Sequence, residues 1–228
     1  MKKLVVLTGA GMSSESGIRT FRDSGGLWEE YDVTEVATPE AWNRNRDLVL
    51  RFYNERRKQL ADCKPNEGHL LLAQLEKHFD VQIITQNIDN LHERAGSTNV
   101  LHLHGELTKA RSTTDPLLFY DIGYNDIKPG DSCEKGSQLR PHIVWFGEEV
   151  PMMDEAVIRT SQADIFVVIG SSLNVYPAAG LIAYAPYRAP IYLIDPKEVT
   201  VPVNRKVDVI KEVASVGVAV LSKLLDGS

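Results

Sequence analysis

The chain has 228 residues, of which 43% are hydrophobic and 25% charged, and its formal net charge is −6. This length suits one sizeable core with room for a small lobe, and the acidic balance argues against a nucleic-acid-binding protein. No apolar run approaches the length of about 18 residues that a membrane span needs, and no secretory leader is recognised. Two cysteines, Cys63 and Cys133, are too few for a disulfide framework. We therefore expect a cytoplasmic protein without a membrane or nucleic-acid partner.

Short apolar runs rich in β-branched residues alternate with amphipathic stretches along the chain. The runs are typical of strands that are buried on both faces of a parallel sheet. Strands are predicted over 4–8, 81–85, 165–169 and 191–194, and helices over 39–61, 67–78 and 210–225. This alternation favours an α/β fold with right-handed crossovers, in a single domain that spans 1–228.

The segment 108–139 departs from this pattern. It is polar, contains Pro116, Pro129 and several glycines, and shows no clear period. We interpret it as a small lobe inserted into the sheet domain.

The first predicted strand runs directly into Gly9-Ala10-Gly11. A Gly-x-Gly turn lets the backbone bend sharply and lets phosphate oxygens approach its amide groups. The usual dinucleotide fingerprint would have its third glycine at position 14, where this chain has Ser14, and no P-loop is present. A plain dehydrogenase is therefore disfavoured, and an ordinary strand-to-helix turn stays possible on this motif alone.

Three further stretches carry polar side chains to the ends of predicted elements. They are TQNIDNLH at 85–92, VLHLHGE at 100–106 and GSSLNV at 170–175. In open α/β sheets, ligands bind beyond the carboxyl ends of the strands, so the first and third stretches are well placed to meet one. The second sets two histidines at i and i+2, on one face if the segment is a strand.

Taken together, these motifs make the chain resemble the sirtuins, the NAD-dependent protein-lysine deacylases. The matching stretches are GAGMSSESGIRTFR, TQNIDNLH, LHGE, RPHIVWFGE and GSSLNVYPAA, in the order of the family. The resemblance implies a Rossmann-like parallel sheet domain with a small inserted lobe at about 108–139. It also implies that the helical segment 24–65 lies on the small-lobe side of a cleft, which NAD and the acyl-lysine protein or peptide enter from opposite sides.

The resemblance assigns NAD-binding roles along the whole chain. The glycine turn is expected at the pyrophosphate, the Phe21-Arg22 segment over the nicotinamide ribose, and Asp89 at the carboxamide. Position 195 departs from the family, which usually has asparagine where this chain has Asp195, although a carboxylate can also accept from ribose hydroxyls. The expected cofactor-binding residues are Gly9, Ala10, Gly11, Ser14, Glu15, Thr20, Phe21, Arg22, Gln86, Asn87, Ile88, Asp89, Gly170, Ser171, Ser172, Asp195, Lys197 and Ala214.

His104 is the predicted general base, and Asn87 and Asp89 complete the expected catalytic set. An imidazole with an ordinary pKa near 6.5 is largely neutral at pH 7 and can accept a proton from a ribose hydroxyl. By resemblance, the acyl oxygen attacks the anomeric carbon as nicotinamide leaves, and the products are lysine, nicotinamide and O-acyl-ADP-ribose. The other histidines are expected to be structural: His69, His78, His92, His102 and His142.

The substrate side of the cleft is predicted from two kinds of feature. Tyr53 and Arg56 match the Tyr-x-x-Arg of sirtuins that remove succinyl, malonyl and glutaryl groups, and a phenol with a guanidinium suits a terminal carboxylate. Outside the family context, an exposed tyrosine and one arginine of a basic cluster would be the simpler reading. The expected substrate-binding residues are Ala41, Tyr53, Arg56, Val144, Phe146, Gly147, Glu148, Asn174, Val175 and Tyr176. The last five are the expected edges between which the peptide pairs as an added strand.

The structural zinc of the family is predicted to be absent, so no metal site is expected. Its two Cys-x-x-Cys pairs would fall at Ser112 and Asp115 and at Ser132 and Lys135, and the nearby Cys133 is out of register. Apolar packing in the lobe is expected to replace the metal, through Leu117, Leu118, Phe119, Tyr120 and Tyr124.

Two other functions use the same cleft. An ADP-ribosyltransferase would leave ADP-ribose on an acceptor, and a non-catalytic NAD or ADP-ribose sensor would bind without turnover. The intact Asn87, Asp89 and His104 disfavour the sensor.

Overall fold

The computed structural model describes residues 1–18 and 31–226. The predicted cofactor-binding residues Thr20, Phe21 and Arg22 lie outside these ranges. Within them, no helix combines the length and apolar character needed to cross a membrane.

A six-stranded parallel sheet forms the larger part of the fold. The four strands predicted from apolar runs are confirmed within one residue at each end. The strands of this sheet are β1 (Lys3–Thr8), β2 (Asp80–Thr85), β3 (Val100–His102), β7 (Ile165–Ile169), β8 (Ile191–Ile194) and β9 (Asp208–Ile210). Their order across the sheet is β3-β2-β1-β7-β8-β9.

The order of the strands places a switch point beside β1. Thr8, the last residue of β1, pairs with Thr85 of β2 on one side and with Ile169 of β7 on the other. From β1 the chain builds the sheet outward to β3, and from β7 it builds outward in the opposite direction to β9. The connections therefore diverge at the carboxyl ends of β1 and β7, which is where open α/β sheets bind ligands. The architecture is Rossmann-like, as predicted.

Helices cover both faces of this sheet and lie against a smaller lobe. They are α1 (Val33–Val36), α2 (Pro39–Arg44), α3 (Arg46–Asp62), α4 (Glu67–Leu75), α5 (Leu91–Ala95), α6 (Met153–Ser161) and α7 (Ala214–Asp226). Alternate residues of the strands face opposite layers. Val5 and Leu7 pack in the core that contains Leu181, whereas Leu4 and Val6 pack in the core that contains residues of α4 and α7.

Three predicted helices have wrong boundaries. The helix predicted over 67–78 ends at Leu75. The stretch 39–61 is not one helix, because Asn45 adopts φ −152° and ψ 79° and its side-chain oxygen accepts from Leu48 N at 3.1 Å, which begins α3. The stretch 210–225 is helical only from Ala214, because Ile210 ends β9 and pairs with Ile194.

The small lobe contains a three-stranded antiparallel sheet in the order β5-β4-β6, with β4 (Gly105–Ser112), β5 (Phe119–Asp121) and β6 (Leu139–Ile143). Helix α3 is attached to this sheet by polar contacts. Arg57 is fully buried, donates to Leu107 O at 2.7 Å and to Asn54 at 2.6 Å, and Asn54 donates to Ile127 O at 2.9 Å.

The expected apolar packing within the lobe is wrong for several residues. Leu117 is 83% exposed and Phe119 is 51% exposed, and Tyr124 is also exposed. Tyr120 donates from its hydroxyl to Glu134. The lobe instead shares a core with α1–α3, to which Leu107, Ala110, Ile127 and Ile143 contribute.

Candidate active site

The turns after β1 and β7 meet by direct backbone contact. Gly9 N donates to Ile169 O at 2.9 Å, and Gly11 N donates to Gly170 O at 2.9 Å. A Cβ at Gly11 would lie 2.7 Å from Gly170 Cα, and Gly170 itself has φ +60°, a conformation that favours glycine. The close approach of two backbones therefore already requires these glycines, whatever ligand Gly9, Ala10 and Gly11 bind.

The segment after β2 reaches across this junction. Gln86 Nε2 donates to Ser171 Oγ at 2.9 Å, and Asn87 Nδ2 donates to Gly9 O at 3.0 Å. The fold thus brings together the predicted cofactor residues that follow β1, β2 and β7, although they are far apart in sequence.

Asp89 is buried beneath the same turn. Its carboxylate accepts from Ser13 Oγ at 2.9 Å and from Leu91 N at 3.1 Å. Burial raises the pKa of Asp89, and these two hydrogen bonds oppose the rise. Ser13 also accepts from Asn87 Nδ2 at 3.1 Å, so it joins two predicted catalytic residues.

Ser13 was not among the predicted site residues, whereas its neighbour Ser14 was. Ser14 is exposed, and its hydroxyl donates to Gly11 O at 3.0 Å. The two serines are adjacent in the same motif, and only the path of the turn decides which of them points inward.

His104 is held in a single tautomer by the backbone. Its Nδ1 lies 2.9 Å from Gln86 O, and a carbonyl oxygen can only accept, so Nδ1 carries the proton and Nε2 carries the lone pair. Burial lowers the pKa of His104, which keeps the ring neutral near pH 7. The next residue, Gly105, has φ +81°, and a Cβ there would overlap His142 O. The Leu-His-Gly frame is therefore fixed by geometry on both sides of the imidazole.

His102 differs from His104 in its hydrogen bonds. Its Nδ1 lies 3.0 Å from Asn87 O and its Nε2 lies 2.8 Å from Glu93 Oε1. Both nitrogens face acceptors, and although burial opposes charging, Glu93 raises the pKa of His102. The prediction that His102 forms local hydrogen bonds is confirmed.

The segment 144–148 connects His104 to the helical layer. Val144 N donates to His104 O at 2.9 Å, and Phe146 N donates to Ala37 O at 3.0 Å. The side chain of Phe146 and the backbone of Gly147, which has φ +90°, are exposed. Glu148 instead turns its carboxylate inward, where it accepts from Arg140 at 2.7 Å.

The predicted acyl-binding residues lie in the core shared by the helices and the lobe. Tyr53 is 3% exposed and its hydroxyl oxygen accepts from Trp145 Nε1 at 3.0 Å, so the reading of Tyr53 as an exposed residue is wrong. Burial raises the pKa of Tyr53. The guanidinium carbon of Arg56 lies 4.4 Å from the centroid of the Phe52 ring, and Ala41 is fully buried in the same core as Tyr53.

Most of the remaining predicted residues follow β7 or β8, whereas Ile88 follows β2 and Ala214 begins α7. The exposed side chains are those of Ser172, Asn174, Tyr176 and Lys197, and the half-buried ones are those of Val175 and Asp195. Ile88 O accepts from Leu107 N. Ala214 is buried at the start of α7. Glu15 caps that helix, because its carboxylate accepts from Ser215 N at 2.9 Å. This capping role accounts for the glutamate at position 15 without any contact to a ligand.

The positions expected for zinc ligands in this family are occupied by residues that form an ion pair and a side-chain hydrogen bond. Lys135 Nζ lies 2.7 Å from Asp115 Oδ2, and Cys133 Sγ donates to Ser112 Oγ at 3.4 Å. A lysine and a serine do not suit a closed tetrahedral zinc site. In the part of the chain that the structure describes, no three His, Cys, Asp or Glu side chains are grouped to hold a metal ion.

Comparisons with known proteins agree with this arrangement. The family model described as "Sir2 family" matches residues 9–177. The chain is 58% identical over 230 residues to an NAD-dependent protein deacylase of Bacteroides thetaiotaomicron, covering 99% of this chain and 98% of that protein. It is 54% identical over 212 residues to an NAD-dependent protein deacylase of Helicobacter pylori, covering 93% and 90%.

A solved complex of a Sir2 homologue with NAD has the same fold. It superposes with a TM-score of 0.88 at 37% identity and covers 99% of this chain and 90% of that one. The family match begins at the Gly9 turn and extends past the Gly170 turn, so it includes the carboxyl ends of β2, β3 and β7 and the turn that follows β1. The chain therefore belongs to the Sir2 family.

Proposed function

We propose that this chain is an NAD-dependent protein-lysine deacylase that removes succinyl, malonyl and glutaryl groups as well as acetyl groups. The main observation in support of this function is the hydrogen bond from His104 Nδ1 to Gln86 O at 2.9 Å. It leaves the Nε2 lone pair of a neutral imidazole as a proton acceptor. Residues that surround the switch point of the sheet support the NAD dependence. The name of the relatives, NAD-dependent protein deacylase, supports the activity.

NAD fits the donors and acceptors at this edge of the sheet. The glycine turns of β1 and β7, with Gln86, Asn87 and Ser171, form the floor, and Asp195 offers a carboxylate at the end of β8. Bound NAD would supply an activated glycosidic bond. Asn87 is oriented by its bonds to Gly9 O and Ser13 Oγ, and Asp89 by its bonds to Ser13 and Leu91, so both are held before any ligand arrives.

His104 would accept the ribose hydroxyl proton at Nε2. The backbone bond to Gln86 O prevents the ring from rotating to offer Nδ1 instead. The partly buried surroundings exclude water, which favours the neutral form that the reaction requires.

The acyl-lysine peptide would bind between the segments 144–148 and 174–176 as an added strand. Val144 N is bonded to His104 O, so this segment leads directly to the general base. Pairing through backbone groups predicts weak discrimination among peptide sequences.

Tyr53 and Arg56 would receive the carboxylate of an acidic acyl group. They are one turn apart on α3 and share a helix face. Burial raises the pKa of the Tyr53 phenol, and the positive charge of Arg56 partly opposes that rise. A buried phenol and guanidinium meet little competition from water, and the small side chain of Ala41 in the same core would leave room for a longer acyl group.

The lobe at about 108–139 would be stable without zinc, with the segment 24–65 beside it on one side of the cleft. In support, Lys135 pairs with Asp115 where two cysteines would stand, and Arg57 and Asn54 tie α3 to the lobe backbone.

The test is a panel of acetyl-, succinyl- and glutaryl-lysine peptides, each with and without NAD, with His104→Ala as the matched inactive enzyme. Mass spectrometry should detect nicotinamide and O-acyl-ADP-ribose in equal amounts, only with NAD and only with the native residue. Transfer of labelled ADP-ribose to protein would instead identify an ADP-ribosyltransferase. NAD binding without any product would identify a sensor.

A further inference from the structure

The hydrogen bond between Trp145 and Tyr53 joins two parts of the site that are 92 residues apart in sequence. An indole N–H can only donate, so it occupies a lone pair of the phenol oxygen at 3.0 Å. Among the described residues, no protein group accepts the hydroxyl proton of Tyr53. With its oxygen engaged, the phenol is left to act as a donor.

The indole is itself held on several sides. The guanidinium carbon of Arg140 lies 3.3 Å from the centroid of the Trp145 ring, and Arg140 donates to Glu148 at 2.7 Å. Trp145 N donates to the same carboxylate of Glu148 at 2.8 Å. The ring of Trp42 packs at 5.8 Å from that of Trp145. The Arg140 guanidinium and the Glu148 carboxylate fix the direction of the indole N–H.

We propose that Trp145 is a specificity-positioning residue, which commits Tyr53 to donate its hydroxyl proton to the carboxylate of an acidic acyl chain. The proposal rests on the proposed function, in which Tyr53 and Arg56 bind that carboxylate. A hydrogen bond received by the phenol oxygen also polarises its O–H group, which strengthens the bond that the phenol donates. An acetyl group has no carboxylate and gains nothing from this arrangement.

The experiment measures kcat and KM for succinyl-lysine and acetyl-lysine peptides in Trp145→Phe, Tyr53→Phe and the double variant. Phenylalanine keeps an aromatic ring beside Arg140 and removes the N–H donor, together with part of the indole volume, a loss that Trp42→Phe reproduces in the same core. Trp145→Phe should raise KM for the succinyl peptide threefold to tenfold, while kcat for that peptide changes less than twofold. When Tyr53 is already phenylalanine, adding Trp145→Phe should change KM for the succinyl peptide by less than twofold, because Trp145 acts through the phenol.

Trp42→Phe is the matched control, because it exchanges an indole in the same core for a ring that can still pack against Trp145, and it leaves the donor from Trp145 to Tyr53 in place. It should not change the ratio of the two activities. A second measurement uses the folded native protein: the ¹⁵N–¹H indole resonance of Trp145, assigned by Trp145→Phe, should move on binding a succinyl-lysine peptide and stay in place with an acetyl-lysine peptide.

Two outcomes overturn the proposal in different ways. If Tyr53→Phe lowers the succinyl-to-acetyl ratio but Trp145→Phe lowers both activities equally or neither, the role of Trp145 is wrong and the acidic-acyl function stands. If neither Tyr53→Phe nor Arg56→Met changes the ratio, the acidic-acyl function fails and the role of Trp145 fails with it.

Discussion

His102 and His104 bind successive carbonyl groups of the same segment, with His102 Nδ1 3.0 Å from Asn87 O and His104 Nδ1 2.9 Å from Gln86 O. The two rings differ at the other nitrogen. His102 Nε2 faces Glu93, whereas no protein partner of His104 Nε2 is found within the ranges that the structure describes. The two histidines of one Leu-His-Leu-His motif therefore differ in their ability to accept a proton, since only His104 offers a nitrogen lone pair.

Replacing His104 by alanine should therefore lower deacylation at least a hundredfold, which is the lower end of what general base catalysis contributes. His102→Gln is the matched control and should cost less than tenfold, because glutamine can still donate to Asn87 O or Glu93. The measurement is steady-state release of nicotinamide with a succinyl-lysine peptide. Near-normal turnover by His104→Ala would contradict the assignment.

The pH dependence of kcat/KM should have an acidic limb set by His104. The base works only when neutral, so activity falls as the pH drops through its pKa. Because burial lowers the pKa of His104 from the ordinary 6.5, the midpoint should lie below 6.5, with a plateau through pH 7 to 8. A midpoint above pH 7 would show that another group limits the reaction. His102→Gln should leave the midpoint in place.

Arg56→Met should reduce desuccinylation far more than deacetylation, by tenfold or more in the ratio of kcat/KM values. Methionine keeps much of the side-chain length over the Phe52 ring and removes the charge that a carboxylate needs. Arg51→Met, at an exposed position of the same helix, serves as the control and should not alter the ratio. Equal losses on both peptides would exclude the acidic-acyl pocket.

Purified protein should contain far less than one zinc per chain by elemental analysis, and a strong chelator should leave its melting temperature unchanged. The reason is that Asp115 and Lys135 form an ion pair where zinc-binding cysteines would be needed. Lys135→Met should lower the melting temperature only slightly, since exposed ion pairs contribute little. Stoichiometric zinc, or a chelator-induced fall in melting temperature, would contradict this prediction.

Much of the sheet domain could be predicted from the sequence, because its strands are buried on both faces and read as unbroken apolar runs. The site could also be located from the sequence. Polar motifs that follow neighbouring parallel strands must lie close together, because the carboxyl ends of those strands share one edge of the sheet. The helix break at Asn45 was missed because the apolar spacing continues through it. A local cap, made by the Asn45 side chain, decides that boundary.

The lobe and its contacts to α3 were harder to predict for a physical reason. The register of β4 and β6 shifts between Gly105 and Ala110, which disrupts the alternation that marks a strand. The bond from Trp145 to Tyr53 and that from Arg57 to Leu107 O join distant segments. Such pairs follow from tertiary packing, and no local pattern in either segment indicates its partner.

The buried pair His69 and His92 should make the protein sensitive to acid. Their ring centroids are 4.8 Å apart, and burial lowers the pKa of His69 to about 4 and that of His92 well below 6.5. Both rings are uncharged in the folded state. His92 Nε2 lies 3.1 Å from Thr8 Oγ1, which donates to Thr85, so His92 also supports the ends of β1 and β2 beneath the site.

The sign of the effect follows from linkage. An unfolded histidine binds a proton near pH 6.5 while the folded one does not, so this contribution to stability is complete above pH 6.5 and is lost as the pH falls toward 4. Each histidine should lower the free energy of unfolding by about 1.4 kcal/mol per pH unit in that range. Urea unfolding at pH 7.5, 6 and 5 measures the slope. His69→Gln should flatten it, exposed His78→Gln should not, and equal slopes in all three proteins would show that these buried rings do not control acid stability.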